Sequence, residues 1–227
     1  MKKIVVKIAS LIIEIEYRYD YIFDRCKDYL SSNHDHIDFH VSASEDDISK
    51  LDNSYPIEIR EFISIYRLIS EQLTKFNRIL IHGAAISYNN QGYLFLAPSG
   101  TGKSTHIKHL RDLNNNIDII NGDKPILDAN GYIYGTPWAG KENWSKNVSY
   151  KLKSIIFLKR DVTNHVNILE PSKSLINILN ESYKDTGVDS AIDILSKGLN
   201  DVSFYELYCT DSNEAAEVSF DNILKIA

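Results

Sequence analysis

The chain has 227 residues, of which 43% are hydrophobic and 25% charged, and this composition excludes a mainly disordered chain. Its formal net charge is −6, and neither half is basic, which excludes a surface built to hold a nucleic-acid backbone. No apolar run is long enough to cross a membrane, and Cys26 and Cys209 lie far apart, outside any metal or redox spacing. We therefore expect one large domain, or one with a small lobe, in the reducing cytoplasm.

The first part of the chain predicts a small α+β lobe. Residues 4–17 are rich in Ile and Val, with Ser10 near the middle, which favours two strands joined by a turn. A helix is predicted at 21–30 and a strand at 36–42. A further helix is predicted after Ser44, because acidic residues follow this serine and stabilise a first helical turn.

A longer amphipathic helix is predicted after Pro56. Apolar residues recur at the three-and-four spacing of one helix face until about Phe76. These residues are Ile59, Phe62, Ile63, Tyr66, Ile69 and Leu73. We therefore expect a lobe at 1–78 that packs on a core at 79–227.

The sequence of residues 79–227 predicts a core of the α/β class, an α+β arrangement with a mixed sheet. Apolar runs at 79–87 and 93–97 flank Asn89-Asn90-Gln91-Gly92, which favours a hairpin loop, so the second strand leads directly into a glycine-rich segment. Further strands are predicted at 117–120, 154–158, 165–169 and 202–209, and the first three of these are expected to be buried. Helices are predicted at 104–113, 172–183, 188–199 and 213–226.

Residues 97–105 read APSGTGKST and match the phosphate-binding pattern GxxxxGK[ST], except that Ala97 takes the place of the first glycine. Phosphates need several backbone N–H groups aimed at one spot, with a helix N-terminus behind them. Lys103 would contact the outer phosphates, while the Ser104 hydroxyl would ligate Mg²⁺. The predicted phosphate-binding residues are Ser99, Gly100, Thr101, Gly102, Lys103, Ser104 and Thr105. The alternative is a turn that only caps a helix.

A second motif, Asn121-Gly122-Asp123-Lys124, follows the predicted strand at 117–120, where sheets of this kind place functional residues. Asp123 would either hold the metal or accept the proton of an attacking hydroxyl. The alternative is an ordinary turn aspartate. Lys124 either neutralises charge on the transferred group or is simply solvated.

The segment 135–144 contains both tryptophans of the chain and is punctuated by glycine and proline. It either lines a substrate-binding surface or anchors a long loop to the core. The candidate substrate residues are Thr136, Trp138, Lys141 and Trp144. His82, on the predicted strand before the glycine-rich segment, either approaches the phosphates or is a core histidine.

Two further patterns limit the possible ligands. His34, His36 and His40 are spaced like a metal cluster, but no cysteine accompanies them, so a solvated strand edge is predicted. The NKxD sequence that reads guanine in GTPases is absent from the chain, so adenine is the expected base.

The segments HGAAISYNNQGYLFLAPSGTGKSTHIKHL, INGDKPIL and YGTPWAGKE resemble the HPr kinase-like proteins, which share a fold with phosphoenolpyruvate carboxykinases. The resemblance covers about residues 79–160. It implies that Lys103 and Ser104 are the phosphate and Mg²⁺ residues and that Asp123 is the acid/base aspartate. His82 is similar to a histidine that the family keeps before its P-loop hairpin.

The chain also departs from this family. HPr kinases usually have two adjacent acids where this chain has Gly122-Asp123, so the metal-ligand role falls to water or to Asp123 itself. Their later glycine-rich signature is missing, and phosphorylase activity is not inferred. The chain is more similar to compact relatives found beside peptide-modifying gene clusters, some of which phosphorylate serine on a small peptide.

These observations predict an ATP- and Mg²⁺-dependent kinase that phosphorylates a hydroxyl, most simply a serine of a peptide or small protein. Its catalytic residues would be Asp123, Lys103 and His82, with Ser104 and Asp123 at the metal. One alternative is a regulatory or scaffold module that binds nucleotide without catalysis, and another is a small-molecule kinase. The resemblance also implies assembly into a homo-oligomer.

Overall fold

The computed structural model describes residues 1–33, 36–183 and 187–226 and has a mixed α/β fold with two sheets. The smaller sheet has the order β1-β2-β3, with strands β1 (Lys2–Ile8), β2 (Leu11–Tyr17) and β3 (Phe39–Ser42). The first two strands form an antiparallel hairpin, and β3 runs parallel to β2. Ala9 and Ser10 turn this hairpin with φ angles of 48° and 65°.

Three helices accompany this sheet, namely α1 (Tyr21–Cys26), α2 (Glu45–Ser49) and α3 (Ile57–Leu73). Ser44 begins α2 with a capping box, in which its hydroxyl accepts from the backbone N–H of Asp47 while the Asp47 carboxylate accepts from the Ser44 N–H. Helix α3 packs on the sheet in a hydrophobic cluster that also contains Leu80, Ile126 and Trp138, which lie beyond residue 78. The division at residue 78 stays a prediction.

The larger sheet has nine strands in the order β4-β8-β9-β10-β6-β5-β7, with β12 beside β10 and β11 beside β12. The strands are β4 (Arg78–Leu80), β5 (Ala84–Tyr88), β6 (Gln91–Leu96), β7 (Asp118–Asn121), β8 (Ile126–Asp128), β9 (Tyr132–Tyr134), β10 (Ser149–Arg160), β11 (His165–Ile168) and β12 (Ser203–Cys209). The helices are α4 (Lys103–Leu113), α5 (Pro171–Asn180), α6 (Val188–Gly198) and α7 (Asn213–Ser219), and a π-helical turn follows α7 at Phe220–Leu224.

The strand directions bring several loops to one edge of this sheet. Strands β6, β10 and β12 are mutually parallel. Strand β5 is antiparallel to both β6 and β7, so β7 runs in the same direction as β6. The carboxyl ends of β6, β7, β10 and β12 therefore meet at one edge, where the glycine-rich loop (97–102) and Asp123 lie.

The predicted single strand at 79–87 is wrong, because the chain bends at 81–83. Strand β4 pairs with β8, whereas β5 pairs with β6 and β7 several strands away in the same sheet. The hairpin between β5 and β6 is turned by Asn89 and Asn90, which have φ angles of 49° and 60°. Gln91 and Gly92 belong to β6 instead of the loop. One apolar run thus supplies two strands.

The prediction of a buried strand at 165–169 is also wrong. Strand β11 lies at an edge of the sheet, where it pairs only with β12, and Ile168 is 82% exposed. Edge strands contain apolar residues as well, so a short apolar run does not reveal whether a strand is covered. The strand predicted at 154–158 is the middle of the longer β10.

Candidate active site

The glycine-rich loop connects β6 to the N-terminus of α4. Gly100 and Gly102 have φ angles of 80° and 113°, and a Cβ atom added at either residue would meet nothing within 4 Å. Backbone conformation, and not crowding, therefore requires glycine at these two positions. The first turn of α4 begins directly after Gly102, and its N–H groups have no partners within the helix.

Two basic side chains, Lys103 and Arg160, hold the backbone of the loop. The ammonium of Lys103 donates to the carbonyl of Ala97 at the start of the loop. Arg160, at the end of β10, donates from its guanidinium to the carbonyls of Gly100 and Thr101, each at 3.0 Å. The first contact ties the start of α4 to the start of the loop, and the other two fasten the loop to β10.

A cleft of about 500 Å³ lies between the glycine-rich loop and the carboxyl end of β7, and we call it the phosphate cleft. The loop and the start of α4 contribute Ser99, Gly100, Gly102, Lys103, Ser104 and Thr105. Asp123 lines the same cleft with His82 and Arg160, and Gly140 and Lys141 close it from the loop at 135–144. The structure thus brings together most of the residues predicted from the two motifs.

Asp123 lies in a chain of charged and polar groups. Its Oδ1 is 3.4 Å from Nε2 of His82, and its Oδ2 accepts from the ammonium of Lys124. On the other side of the imidazole ring, Nδ1 of His82 is 3.0 Å from Oε2 of Glu181, just beyond α5. The backbone N–H of His82 also donates to the Glu181 carbonyl, at 2.7 Å. His82 therefore lies between two carboxylates.

The electrostatic surroundings favour the ionised form of Asp123 but act against the ionised form of Lys103. Burial acts to raise the pKa of Asp123, but His82 and Lys124 outweigh it and hold this pKa below its ordinary value of 3.8. Burial lowers the pKa of Lys103 below 10.5, although the charges of Glu181 and Asp123 act to raise it. A carboxylate and a partly desolvated ammonium thus border one cleft.

Asn121 fixes the turn that carries Asp123. Its fully buried side chain accepts from the backbone N–H groups of Asp123 and Lys124, at 2.8 and 2.6 Å, through one oxygen. Its amide nitrogen donates to the carbonyl and the hydroxyl of Thr136, at 2.9 and 3.0 Å. The Thr136 hydroxyl in turn donates to the carbonyl of Lys124, at 2.7 Å. Asn121 and Thr136 together position the backbone of the acid.

Replacing Asn121 by alanine is expected to lower the free energy of unfolding by about 3 kcal/mol, because two N–H groups of the turn lose their acceptor. Urea denaturation at neutral pH measures this difference. Asn114→Ala is the matched control, since the Asn114 side chain accepts one backbone N–H in a turn after α4. This replacement should lower the free energy of unfolding by less than about 1 kcal/mol. An equal loss in both variants would contradict the bracing role of Asn121.

The loop at 135–144 places its candidate substrate residues in different surroundings. Thr136 and Trp138 are buried, and Trp138 packs 6.0 Å from the ring of Tyr66 on α3. Trp144 is partly buried beneath Lys108 and Arg111 of α4, which lie 5.7 and 5.9 Å from its ring. Lys141 is exposed and lines the phosphate cleft. The two tryptophans have the geometry of anchors, whereas Lys141 is free to contact a ligand.

The smaller sheet's helices hold this loop over the cleft. Arg25 of α1 donates to the carbonyl of Pro137 at 3.0 Å and also to the side chain of Asn143. The ring of Tyr66 lies 5.3 Å below the ammonium of Lys124, so α3 supports the cation that pairs with Asp123. Residues before 78 thus contribute to the shape of the site.

Three residues of the site were missed by sequence reasoning, namely Asn121, Arg160 and Glu181. Asn121 belongs to the recognised NGDK motif, and an asparagine two residues before an acid at a strand end is a recognisable Asx-turn signal. Arg160 and Glu181 have no local signal: Arg160 reaches the site through the pairing of β10 with β6, and Glu181 through the backbone contact between the end of α5 and His82. Ser104 and Thr105 are present as expected, and their hydroxyls have no partner among the described residues.

The predicted strand edge contains exposed histidines paired with acids. His40 on β3 lies 3.0 Å from Glu14, and His36 lies 3.1 Å from Asp38, while His34 is outside the described residues. In the part of the chain that the structure describes, there is no group of three or more His, Cys, Asp or Glu placed to hold a metal. The same part contains no helix long and apolar enough to cross a membrane.

Comparisons with known proteins do not assign this chain to a family. No protein-family model matches the chain, and no curated protein matches it. A solved structure, that of the Hpr(Ser) kinase/phosphatase from Coxiella burnetii, matches 65% of this chain and 92% of its own, with 14% sequence identity and a TM-score of 0.35. A TM-score this low carries no argument about family or activity. The chemistry of the site must therefore support any proposed function.

Proposed function

We propose that this protein is an ATP- and Mg²⁺-dependent kinase that transfers the γ-phosphoryl group to a hydroxyl of a peptide or small protein, most simply a serine. The observation that supports this proposal is the phosphate cleft. It joins a glycine-rich loop and Lys103 on one side to the ionised Asp123 on the other. This combination provides an anion site and a proton acceptor in one place.

The donors that line the cleft fit a nucleotide phosphate chain with its metal. The loop offers backbone N–H groups and a lysine, which suit phosphate oxygens. The Ser104 hydroxyl and the Asp123 carboxylate are oxygen ligands of the kind that Mg²⁺ prefers, with water completing its coordination. Bound Mg²⁺ would neutralise charge on the phosphates.

In this mechanism the chain mainly positions and neutralises charge. The loop backbone and Lys103 hold the phosphates, and Lys141 lies where it can contact the group being transferred. Asp123 accepts the proton of the acceptor hydroxyl as that oxygen bonds to the γ-phosphorus, while the bond from this phosphorus to the bridging oxygen breaks and ADP leaves with that bond's electron pair. His82 and Lys124 keep Asp123 ionised and in place until the proton arrives, because each contacts one of its two oxygens.

Calorimetric titration with ATP and GTP, each with and without Mg²⁺, tests the proposal. We expect micromolar binding of ATP that depends on Mg²⁺, followed by ADP release when a serine peptide is the acceptor. Binding without any ADP release in the presence of acceptor peptides would favour a regulatory module. Failure of both nucleotides to bind would overturn the proposal.

Glu181 is proposed to act through His82, so Glu181→Gln should lower the rate of transfer about tenfold while leaving the KM for ATP within about twofold. The glutamine keeps the size of the side chain and an acceptor for the imidazole but removes its charge. If Glu181 acts only through His82, the double variant Glu181→Gln/His82→Gln should be no slower than His82→Gln alone.

Steady-state kinetics of these variants provide the measurement, and Glu170→Gln is the matched control at the exposed start of α5. The control should retain the wild-type rate. Independent, multiplying effects of the two substitutions in the double variant would show that Glu181 does not work through the histidine.

A further inference from the structure

A second cavity, of about 480 Å³, adjoins the glycine-rich loop on the side away from Asp123. It lies over the carboxyl ends of β10 and β12, and Gly102 and Arg160 line both this cavity and the phosphate cleft. In the sheet, β6 separates β10 and β12 from β5 and β7. The loop that follows β6 therefore lies between the acid and this second cavity.

The second cavity has an apolar floor and a mixed rim. Leu158, Cys209 and His106 form the buried floor. Val162 stands at the rim with 90% of its surface exposed, opposite the pair formed by His109 and Asp211 at 3.1 Å. A cavity of this size, with an apolar base and a few polar groups at the edge, suits a heterocyclic ring and its attached sugar.

The direction of a bound phosphate chain decides which neighbouring cavity receives the rest of a nucleotide. If the terminal phosphate faces Asp123, the chain must leave the loop in the opposite direction, over β10 and β12. A third cavity, of about 280 Å³, borders Glu181 and Pro98 and so lies beside the acid and histidine chain. Of these three cavities, all lined by described residues, the second combines contact with the loop, sufficient volume and a position away from the acid.

We propose that the second cavity binds the base and ribose of the nucleotide whose phosphates occupy the glycine-rich loop, and this inference rests on the proposed function. Val162 and the apolar floor contact the faces of the base. The second carboxylate oxygen of Asp211 has no partner among the described residues and accepts from a ribose hydroxyl. Arg160 links the two halves of the site, since it bonds the loop and lines both cavities.

The test compares ATP with inorganic tripolyphosphate, which can occupy the loop but not the second cavity, in titrations with Mg²⁺. In the wild type, ATP should bind at least tenfold more tightly than tripolyphosphate. His109→Trp fills the second cavity from α4. It should weaken the binding of ATP at least tenfold while leaving the affinity for tripolyphosphate within twofold of the wild type. Asp112→Trp, exposed one turn further along α4, is the matched control and should change neither affinity.

Val162→Asn gives a second variant at a site too exposed to affect folding, and its neutral side chain does not alter the charge near the phosphates. This variant should weaken the binding of ATP about threefold and leave the affinity for tripolyphosphate unchanged. Equal binding of ATP and tripolyphosphate to the wild type, or unchanged ATP affinity in both variants, would overturn this inference while leaving the phosphate cleft intact. Failure of the wild type to bind either ligand would overturn the proposed function, and the inference with it.

Discussion

Replacing Asp123 by asparagine should lower the rate of phosphoryl transfer about 10³-fold while ATP affinity stays within a few-fold. Asparagine keeps the shape of the side chain but cannot take the proton from the acceptor hydroxyl. The pKa of Asp123 lies below 3.8 because His82 and Lys124 outweigh the effect of burial, so the carboxylate is ionised throughout the neutral range. Single-turnover measurements of the phosphorylated acceptor give the rate.

The pH dependence follows from the same pKa. A carboxyl group with a lowered pKa loses its charge only when the pH falls through that lowered value. Activity of the wild type should therefore not decline through protonation of Asp123 above about pH 5. The matched control for Asp123→Asn is Asp118→Asn. Asp118 lies five positions before Asp123 and pairs with Lys146 at the surface, so this variant should keep the wild-type rate. Unchanged turnover in Asp123→Asn would remove Asp123 from the catalytic role.

Replacing Lys103 by methionine should weaken ATP binding by roughly 100-fold, since a charge-assisted contact with the phosphates is lost. Methionine preserves most of the length of the side chain. Burial lowers the pKa of Lys103 below 10.5, whereas the negative charges of Glu181 and Asp123 act to raise it, as a bound phosphate would. Calorimetry with ATP and Mg²⁺ measures the effect, and transfer should fall with it.

Lys108→Met provides the matched control for Lys103→Met, because Lys108 lies on the same helix and packs over Trp144 at the surface. This variant should bind ATP like the wild type. ATP binding that persists in Lys103→Met would show that the glycine-rich loop does not hold the phosphates in the expected way, and the binding site would have to be sought elsewhere.

Local spacing predicted much of the secondary structure and the residues at the centre of the site. The apolar spacing after Pro56 identified α3, and Ser44 with its following acids identified the start of α2. The GxxxxGK[ST] pattern placed the glycines and Lys103 between a strand and a helix, where the structure has them. These predictions succeed because helix periodicity, capping and positive φ depend on neighbouring residues.

The sequence by itself therefore determined the mixed α/β class, the glycine-rich loop between a strand and a helix, and the position of the NGDK motif at the end of a strand. Only the tertiary structure decided that 79–87 splits into two strands and that Glu181 reaches His82 from 99 positions away. It also decided that Arg160 joins two cavities. The physical reason is that strand order and strand pairing are set by the packing of the whole core. A short stretch of sequence does not specify which distant segments will lie beside it.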